Sequence, residues 1–395
     1  MQAFEYYNPV KIIYDDGCTN RIGKVVKEIG KTALIVTYKE AAYMAPFLDR
    51  VCQLLKDEGV TPILFQGATA NPTLNQAREG VALCHEHQVD VLIGIGGGSA
   101  MDLTKIIAGG ALFPHDVRDM IMFSHSNVQA IPLTEALPTI MIPTLPATGS
   151  EMNPTAVVTD DETQEKSYVW APQCLYPKVS FIDPTLMTTL PRYQTACGTI
   201  DIIAHVMESY VNGDATDEGL GLLDGMQEGV MISMLEALPK MMDAPDNTAL
   251  RGMAQWASAI ALNGWLISGT YTFTPMHQMG HVLSARYNAT HGATLCVLMI
   301  AWLKYFDQHP ENARYVQFAR KVFHVDRPIQ TAQKLQALAE AYGVQTNLRQ
   351  FGVQKEDLPS LAADVRRVSF SPDNRLQSRP RLTEQDILDL YKLAF

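Results

Sequence analysis

The sequence predicts two domains in chain order: an α/β domain with a parallel sheet over residues 1–185, then an all-α domain over residues 186–395. Three observations predict this. Short β-branched runs alternate with helical patterns through the first half. Those runs stop near Asp183-Pro184 and Leu190-Pro191, and long helical patterns fill the remainder. Strand, helix, strand spacing marks βαβ units, whose strands pair in parallel.

The expected strands lie at 33–37, 61–65, 91–96, 139–143, 156–159 and 179–183, each rich in branched apolar residues and bounded by Gly, Pro, Asn or Asp. Residues 10–14 are also strand-like and offer an edge that could pair across a two-fold dimer axis. Helical patterns at 43–58 and 74–87 separate several of the strands. Further helices are expected at 192–211, 217–242, 250–268 and 294–305. A last one opens at Thr383, whose hydroxyl can cap it ahead of first-turn acids.

Composition narrows the function classes. Of 395 residues, 47% are hydrophobic and 18% charged, as in a folded globular protein. A net charge of −11 gives no basic footprint for nucleic acid or an anionic membrane. Apolar stretches such as 295–303 are shorter than the roughly 20 residues a membrane span needs. The six cysteines, Cys18, Cys52, Cys84, Cys174, Cys197 and Cys296, form no CxxC pair. A disulfide framework or thiolate zinc site is therefore not expected, and scattered cysteines suit a reducing cytosol. Residues 1–14 lack a basic segment followed by an apolar one, so no signal peptide is expected and the location expected is cytoplasmic.

Two turns have the chemistry of a phosphate site. Val91-Leu-Ile-Gly-Ile-Gly96 runs into Gly97-Gly98-Ser99, and a helix follows from Ala100. Glycines at a strand-to-helix turn let backbone N–H groups approach an anion, and the helix N-terminus adds positive potential. The second turn, Leu145-Pro-Ala-Thr-Gly-Ser-Glu151, follows the strand Ile140-Met-Ile-Pro-Thr144. Two such loops at one sheet edge favour a dinucleotide over plain turns, although the GxGxxG fingerprint is absent.

The second half holds a cluster of potential metal ligands. Asp201 and His205 are four residues apart, one helical turn, among apolar neighbours. A carboxylate buried there must be paired, hydrogen-bonded or metal-bound. His277 and His281 repeat the spacing, and His291 follows. Imidazoles with one carboxylate suit Fe²⁺, Zn²⁺, Co²⁺ or Mn²⁺, and an open position makes such an ion a Lewis acid toward a carbonyl or alkoxide. His85, His87, His115, His125, His309 and His324 sit in polar contexts without partners of this kind. Trp265, Phe273 and Met276 are read as core residues, with a pocket for a short aliphatic aldehyde as the alternative.

Taken in order, Asn71-Pro72-Thr73, Gly96-Gly-Gly-Ser99 with Asp102 and Lys105, Thr144 with Ala147-Thr-Gly-Ser-Glu151, Lys166, Asp183-Pro184 and then the Asp/His cluster resemble the iron-containing (group III) alcohol dehydrogenases of the dehydroquinate synthase-like fold. The resemblance covers nearly the whole chain. It implies an N-terminal nucleotide-binding domain, a C-terminal helical metal-binding domain and an active site in the cleft between them. The implied activity is hydride transfer between NAD(P)H and a small alcohol or aldehyde, in a homodimer or higher homo-oligomer. It assigns Asp201, His205, His277 and His291 to the metal, Fe²⁺ with Zn²⁺ possible. It places His281 beside the substrate and outside the usual ligands, where its imidazole could carry the exchanged proton or equally serve as a hydrogen-bond partner behind the site. Gly97, Gly98 and Ser99 would hold the pyrophosphate. Thr144, Thr148, Asn153, Val157 and Lys166 would line the cofactor site, and Asn71 its adenosine side.

Many members of that family place an aspartate after the first nucleotide strand, where it accepts from the ribose 2′-OH and repels a 2′-phosphate. Here the sequence is Val36-Thr37-Tyr38-Lys39, without an acid. That favours NADP; the alternative has Tyr38 packed on the adenine and Lys39 solvated, leaving NAD usable. A lyase or cyclase of the dehydroquinate synthase type, using NAD and zinc, is the competing activity. It would need clustered basic residues for a substrate phosphate, and residues 192–286 carry only Arg192, Lys240, Arg251 and Arg286.

Overall fold

The computed structural model describes residues 1–122, 129–214, 216–270 and 273–395; His125 lies outside them. The chain folds into two compact units. One comprises Tyr7–Thr189 with Pro245–Ala259, the other Met1–Tyr6, Leu190–Ala244 and Ile260–Phe395.

The first unit is built on strands β1 (Lys11–Tyr14), β2 (Thr32–Tyr38), β3 (Thr61–Ala68), β4 (Val91–Gly96), β5 (Thr139–Pro143), β6 (Thr155–Thr159), β7 (Lys166–Trp170) and β8 (Val179–Ile182). Six form one sheet in the order β1-β8-β5-β4-β2-β3, every pair parallel. Helices α1 (Ile22–Val26), α2 (Ala45–Asp57), α3 (Leu74–His87) and α4 (Gly98–Gly110) cover it. The strand period of two decides which side chains meet which helices. Ala33, Ile35, Val91, Ile93 and Ile95 pack with Leu48, Val51 and Leu55 of α2. Their neighbours Leu34, Val36 and Leu92 pack on the other face with Ala77 of α3 and Leu103 and Ile107 of α4. Sheets covered on both faces read as continuous apolar runs, which is why these strands were legible.

One expectation is corrected. Residues 156–159 do not join the parallel sheet. They lie in β6, which pairs antiparallel with β7, a strand the sequence reading missed. The connection from Thr159 to Lys166 is far too short for the crossover a parallel pair requires. Residues 10–14 do form a strand, and its partner is β8 of the same chain, in parallel register from Lys11↔Val179 to Tyr14↔Ile182.

The order places a topological switch between β2 and β4: the chain leaves β2 toward β3 and leaves β4 toward β5. Ligands of open α/β sheets bind outside the strand C-termini at such a point. Tyr38 ends β2 there, and Gly96 ends β4.

The second unit is helical. Its elements are α5 (Arg192–Val211), α6 (Gly221–Asp243), the last residues of α7 (Thr248–Leu262), α8 (Pro275–Tyr287), α9 (His291–Asp307), α10 (Ala313–Val322), α11 (Pro328–Ala341), α12 (Leu358–Ser369) and α13 (Glu384–Ala394). Among its described residues the only β pairing is at isolated bridges. The helix expected over 250–268 stops at Leu262, and a separate 3₁₀ turn covers Trp265–Ile267. α5 packs against α6 and α9, and α8 against α9. Met276 is a core side chain, whereas Trp265 is 47% exposed and meets Tyr6 edge-on with ring centroids 4.9 Å apart. No helix among the described residues is long and apolar enough to cross a membrane.

Thr383 caps α13 as expected: its side chain accepts from the Asp386 N–H, and Asp386 accepts in return from the Thr383 N–H. Thr383→Ala should lower stability by about 1 kcal/mol, read as a shifted midpoint in urea denaturation with an unchanged slope.

Candidate metal centre and dinucleotide loops

α5 carries Asp201, His205 and Glu208 at successive turns of one face. α8 contributes His277 from its first turn, and α9 opens with His291. One potential ligand atom from each of Asp201, His205, His277 and His291 falls within 4.8 Å of the other three. Asp201 Oδ1 is 3.6 Å from His205 Nδ1 and 3.9 Å from Nε2 of both His277 and His291. Ligands bound about 2.1 Å from a tetrahedral ion stand about 3.4 Å apart, so a small contraction would close the set on a cation. The four residues brought together are the four that the sequence resemblance assigned to a metal.

The donor chemistry fits such an ion. His205 is 9% exposed, and its Nδ1 is buried without a hydrogen-bond partner among the described residues. A buried lone pair left so is costly unless something accepts it. Burial, with His277 alongside, holds the His205 imidazole well below its ordinary range, so it is neutral and able to ligate. The His205 and His277 rings stack with centroids 4.2 Å apart. His281 stands outside the four-residue set, its ring 5.5 Å from that of His291 and 6.5 Å from that of His277.

The sequence reading missed Glu208, which is fully buried. One of its oxygens accepts from the backbone N–H groups of Met276 (2.5 Å) and His277 (3.2 Å), and the other meets His277 Nδ1. Burial pushes its carboxyl well above the ordinary range, and the two N–H groups pull it back. The signal was present: Glu208 lies seven residues after Asp201 on the same helix face.

Close backbone contact brings α9 to α5. A Cβ added at Gly292 would sit 2.2 Å from the Cys197 carbonyl oxygen. Only glycine allows the approach that sets His291 opposite Asp201.

In the first unit, the cofactor residues named from the sequence gather around the ends of β2 and β4. Gly97 begins the turn into α4, and its N–H donates to the Tyr38 hydroxyl at 3.2 Å. A Cβ at Gly98 would lie 2.5 Å from Thr148 Cγ2, so the two loops touch there. The Ser99 hydroxyl donates to the Ala70 carbonyl at 2.5 Å, and the Thr144 N–H to the Gly96 carbonyl at 2.9 Å. Val157 N–H donates to Asp102 Oδ2 at 3.0 Å, and Lys166 Nζ to Asn71 Oδ1 at 3.2 Å.

A buried polar network holds the second loop. Lys105, fully buried on α4, donates to Ser150 Oγ (2.9 Å) and to the carbonyls of Asn153 and Thr155 (2.8 Å each). Ser150 Oγ donates to Asp102 Oδ1 at 2.6 Å. From the other side, Gln255 donates to Glu151 Oε1 at 2.6 Å, and the Gly149 N–H to Ser258 Oγ at 3.1 Å. Burial lowers the Lys105 ammonium to about 8 and raises the Glu151 carboxyl to about 7.

Two family models match the chain: iron-containing alcohol dehydrogenase over residues 9–184, and the C-terminal domain of the Fe-containing alcohol dehydrogenase family over 195–395. The chain belongs to the iron-containing alcohol dehydrogenase family, and is an oxidoreductase of that family rather than a cyclase. It is 31% identical to NADH-dependent butanol dehydrogenase A of Clostridium acetobutylicum, with 100% of each chain covered. It is 28% identical to the NADPH-dependent aldehyde reductase YqhD of Escherichia coli K12, covering 91% of this chain and 92% of that one. The crystal structure of NADH-dependent butanol dehydrogenase A from Thermotoga maritima superposes with a TM-score of 0.91 at 29% identity, covering 100% of this chain and 99% of that one.

Gly292→Ala should destabilise the metal-free protein by about 1–3 kcal/mol by forcing α5 and α9 apart, measured by urea denaturation; an unchanged midpoint would contradict the packing. A second expectation concerns Glu151. Because folding raises its carboxyl from 4.5 to about 7, its contribution to stability is full below the unfolded value and is lost as pH rises through the folded one. Glu151→Gln removes this dependence, so its melting temperature relative to the parent should climb between about pH 5 and about pH 8.

Proposed function

We propose that this chain is a metal-dependent alcohol dehydrogenase and aldehyde reductase that interconverts small alcohols and aldehydes using NADPH or NADH. The observation that carries the reading is the convergence of Asp201, His205, His277 and His291, remote in sequence, to ligand distance in a buried setting. A bound divalent cation supplies Lewis acidity toward a substrate oxygen, and a bound nicotinamide supplies or accepts the hydride.

The chain's own residues have the remaining tasks. Three neutral imidazoles and one carboxylate leave net positive charge at the ion site, which an oxygen of the substrate would meet. His281, outside the ligand set, holds the exchanged proton at a ring nitrogen. Gly97 leads the turn in which Gly98 and Ser99 present backbone N–H groups at the start of α4 to a pyrophosphate. Thr144, Thr148, Asn153, Val157 and Lys166 line the remainder of the cofactor site, with Asn71 toward the adenosine. Lys166 and Asn71 already touch, which supports placing both along one ligand.

The family's name supports Fe²⁺. Zn²⁺ suits the same ligands and stands higher in the Irving–Williams order. The end of β2 carries Tyr38 and an exposed Lys39 instead of an acid, which favours NADPH. Residues 1–185 form the dinucleotide-binding domain and 186–395 the metal-binding domain in this reading, within a cytoplasmic homodimer or higher homo-oligomer.

The test is a panel of short aldehydes and alcohols with NADPH and NADH, with Fe²⁺ or Zn²⁺ restored to chelated protein. Turnover should require a metal and be faster with NADPH. His277→Ala should fall to background while binding of the reduced cofactor, followed by its fluorescence, persists. Full turnover in that variant would overturn the metal assignment, and a large NADH preference the cofactor assignment.

A further inference from the structure

Among the described residues, Glu208 is a buried carboxylate beside the candidate ligand set but outside it, and both of its oxygens are engaged. The first N–H groups of a helix have no partner within it. In α8 those groups belong to Pro275, which has none, and to Met276 and His277; Thr274 before them provides no side-chain cap. Glu208 supplies the missing acceptor from a different helix, α5. Its second oxygen meets Nδ1 of His277, the residue whose own backbone it caps.

This double attachment has a consequence for the imidazole. Two backbone N–H donors on one oxygen favour the ionised form of Glu208, and opposite that form, which only accepts, the ring proton of His277 sits on Nδ1. Nε2 is then left with its lone pair, and it is Nε2 that lies 3.9 Å from Asp201 Oδ1 on the cluster side. The same contact stops the ring from turning over, because both the backbone and the side chain of His277 are tied to one carboxylate. Glu208 is rigid in turn: Asn212 Nδ2 donates to its carbonyl at 2.7 Å near the end of α5, and Arg314 donates to a further carbonyl of that turn, at Tyr210 (2.8 Å from Nε).

We infer that Glu208 is a positioning residue for the metal centre, fixing the tautomer and direction of His277 before any cation arrives by the same contact that caps α8. The inference rests on reading the Asp/His cluster as a cation site. Outer carboxylates that orient a ligating imidazole typically tune metal affinity by roughly 10–100-fold.

The experiment uses Glu208→Gln in the full chain. Glutamine keeps one oxygen for the Met276 and His277 N–H groups, so the helix cap survives. It turns an N–H₂ toward Nδ1, which favours the opposite tautomer, with Nε2 protonated and unable to ligate. Zn²⁺ affinity, measured by competition with a chromophoric chelator, should weaken about 10–100-fold, while the melting temperature of the metal-free protein stays near that of the parent. Glu208→Ala should lose both affinity and melting temperature. Wild-type Zn²⁺ affinity in Glu208→Gln would show a helix cap and nothing more, overturning the inference alone. A parent protein that takes up no Zn²⁺, Fe²⁺ or Co²⁺ would overturn the metal reading and this inference with it. A second measurement needs no folded Glu208 variant. Selective ¹⁵N-histidine NMR of the metal-free parent, assigned with His277→Asn, should show His277 as the Nδ1–H tautomer; the Nε2–H tautomer would overturn the inference.

Discussion

The helical unit depends on one buried carboxylate. Asp201 is 2% exposed in the middle of α5, where a charge is costly unless it is paired or bound. Three imidazoles surround it, and the one on the same helix is neutral. A neutral ring offers a lone pair rather than positive charge, so His205 does not act toward the carboxylate as an ion-pair partner would. A divalent cation, as proposed above, would answer both needs together for a polar cluster set among side chains such as Ile202, Met276 and Met279, all fully buried.

The positions of these side chains are set by contacts that are not themselves metal chemistry. The end of α5 is clamped by Arg314, whose guanidinium makes a two-pronged pair with Asp224 at 2.7 Å and lies over the Tyr210 ring. The start of α9 is set by the missing side chain of Gly292. The start of α8 is held by Glu208. Each element that delivers a candidate ligand is therefore fixed near the residue it delivers, as a site with tight distance requirements would demand.

The sheet unit solves a related problem with a buried ammonium. Loops at strand ends carry backbone groups that must find partners if the loop is buried. Lys105 gathers Ser150 Oγ and the carbonyls of Asn153 and Thr155, and Asp102 accepts from Ser150 and Val157. A lysine on the helix that follows the first glycine turn thereby fixes the loop that forms the second. Tyr38 adds a local adjustment: its hydroxyl takes the Gly97 N–H, so the glycine turn presents a phenol at the end of β2 where an acid is common in this family.

Much of this was legible in the chain. Buried parallel strands advertise themselves as unbroken apolar runs, and 91–96 and 139–143 were read to their ends. Four-residue spacing on an apolar helix exposed Asp201 with His205, because helix geometry is local. The Thr383 cap was read from its hydroxyl and the acids that follow, a signal confined to one turn. Other features depend on partners distant in sequence. β6 shares the composition of a parallel strand, and only its short link to β7 turned it into a hairpin. Glu208 looked like an ordinary helix acid until the first turn of α8 was brought against it. Sequence alone determined the two-part architecture, the glycine turns and the candidate ligands, since periodicity and residue chemistry are local properties. Tertiary structure decided that the four candidate ligands converge, that Lys105 ties two loops together and that a glutamate meets a histidine 69 residues away, because each needs packed helices or loops to bring together groups that the chain keeps far apart.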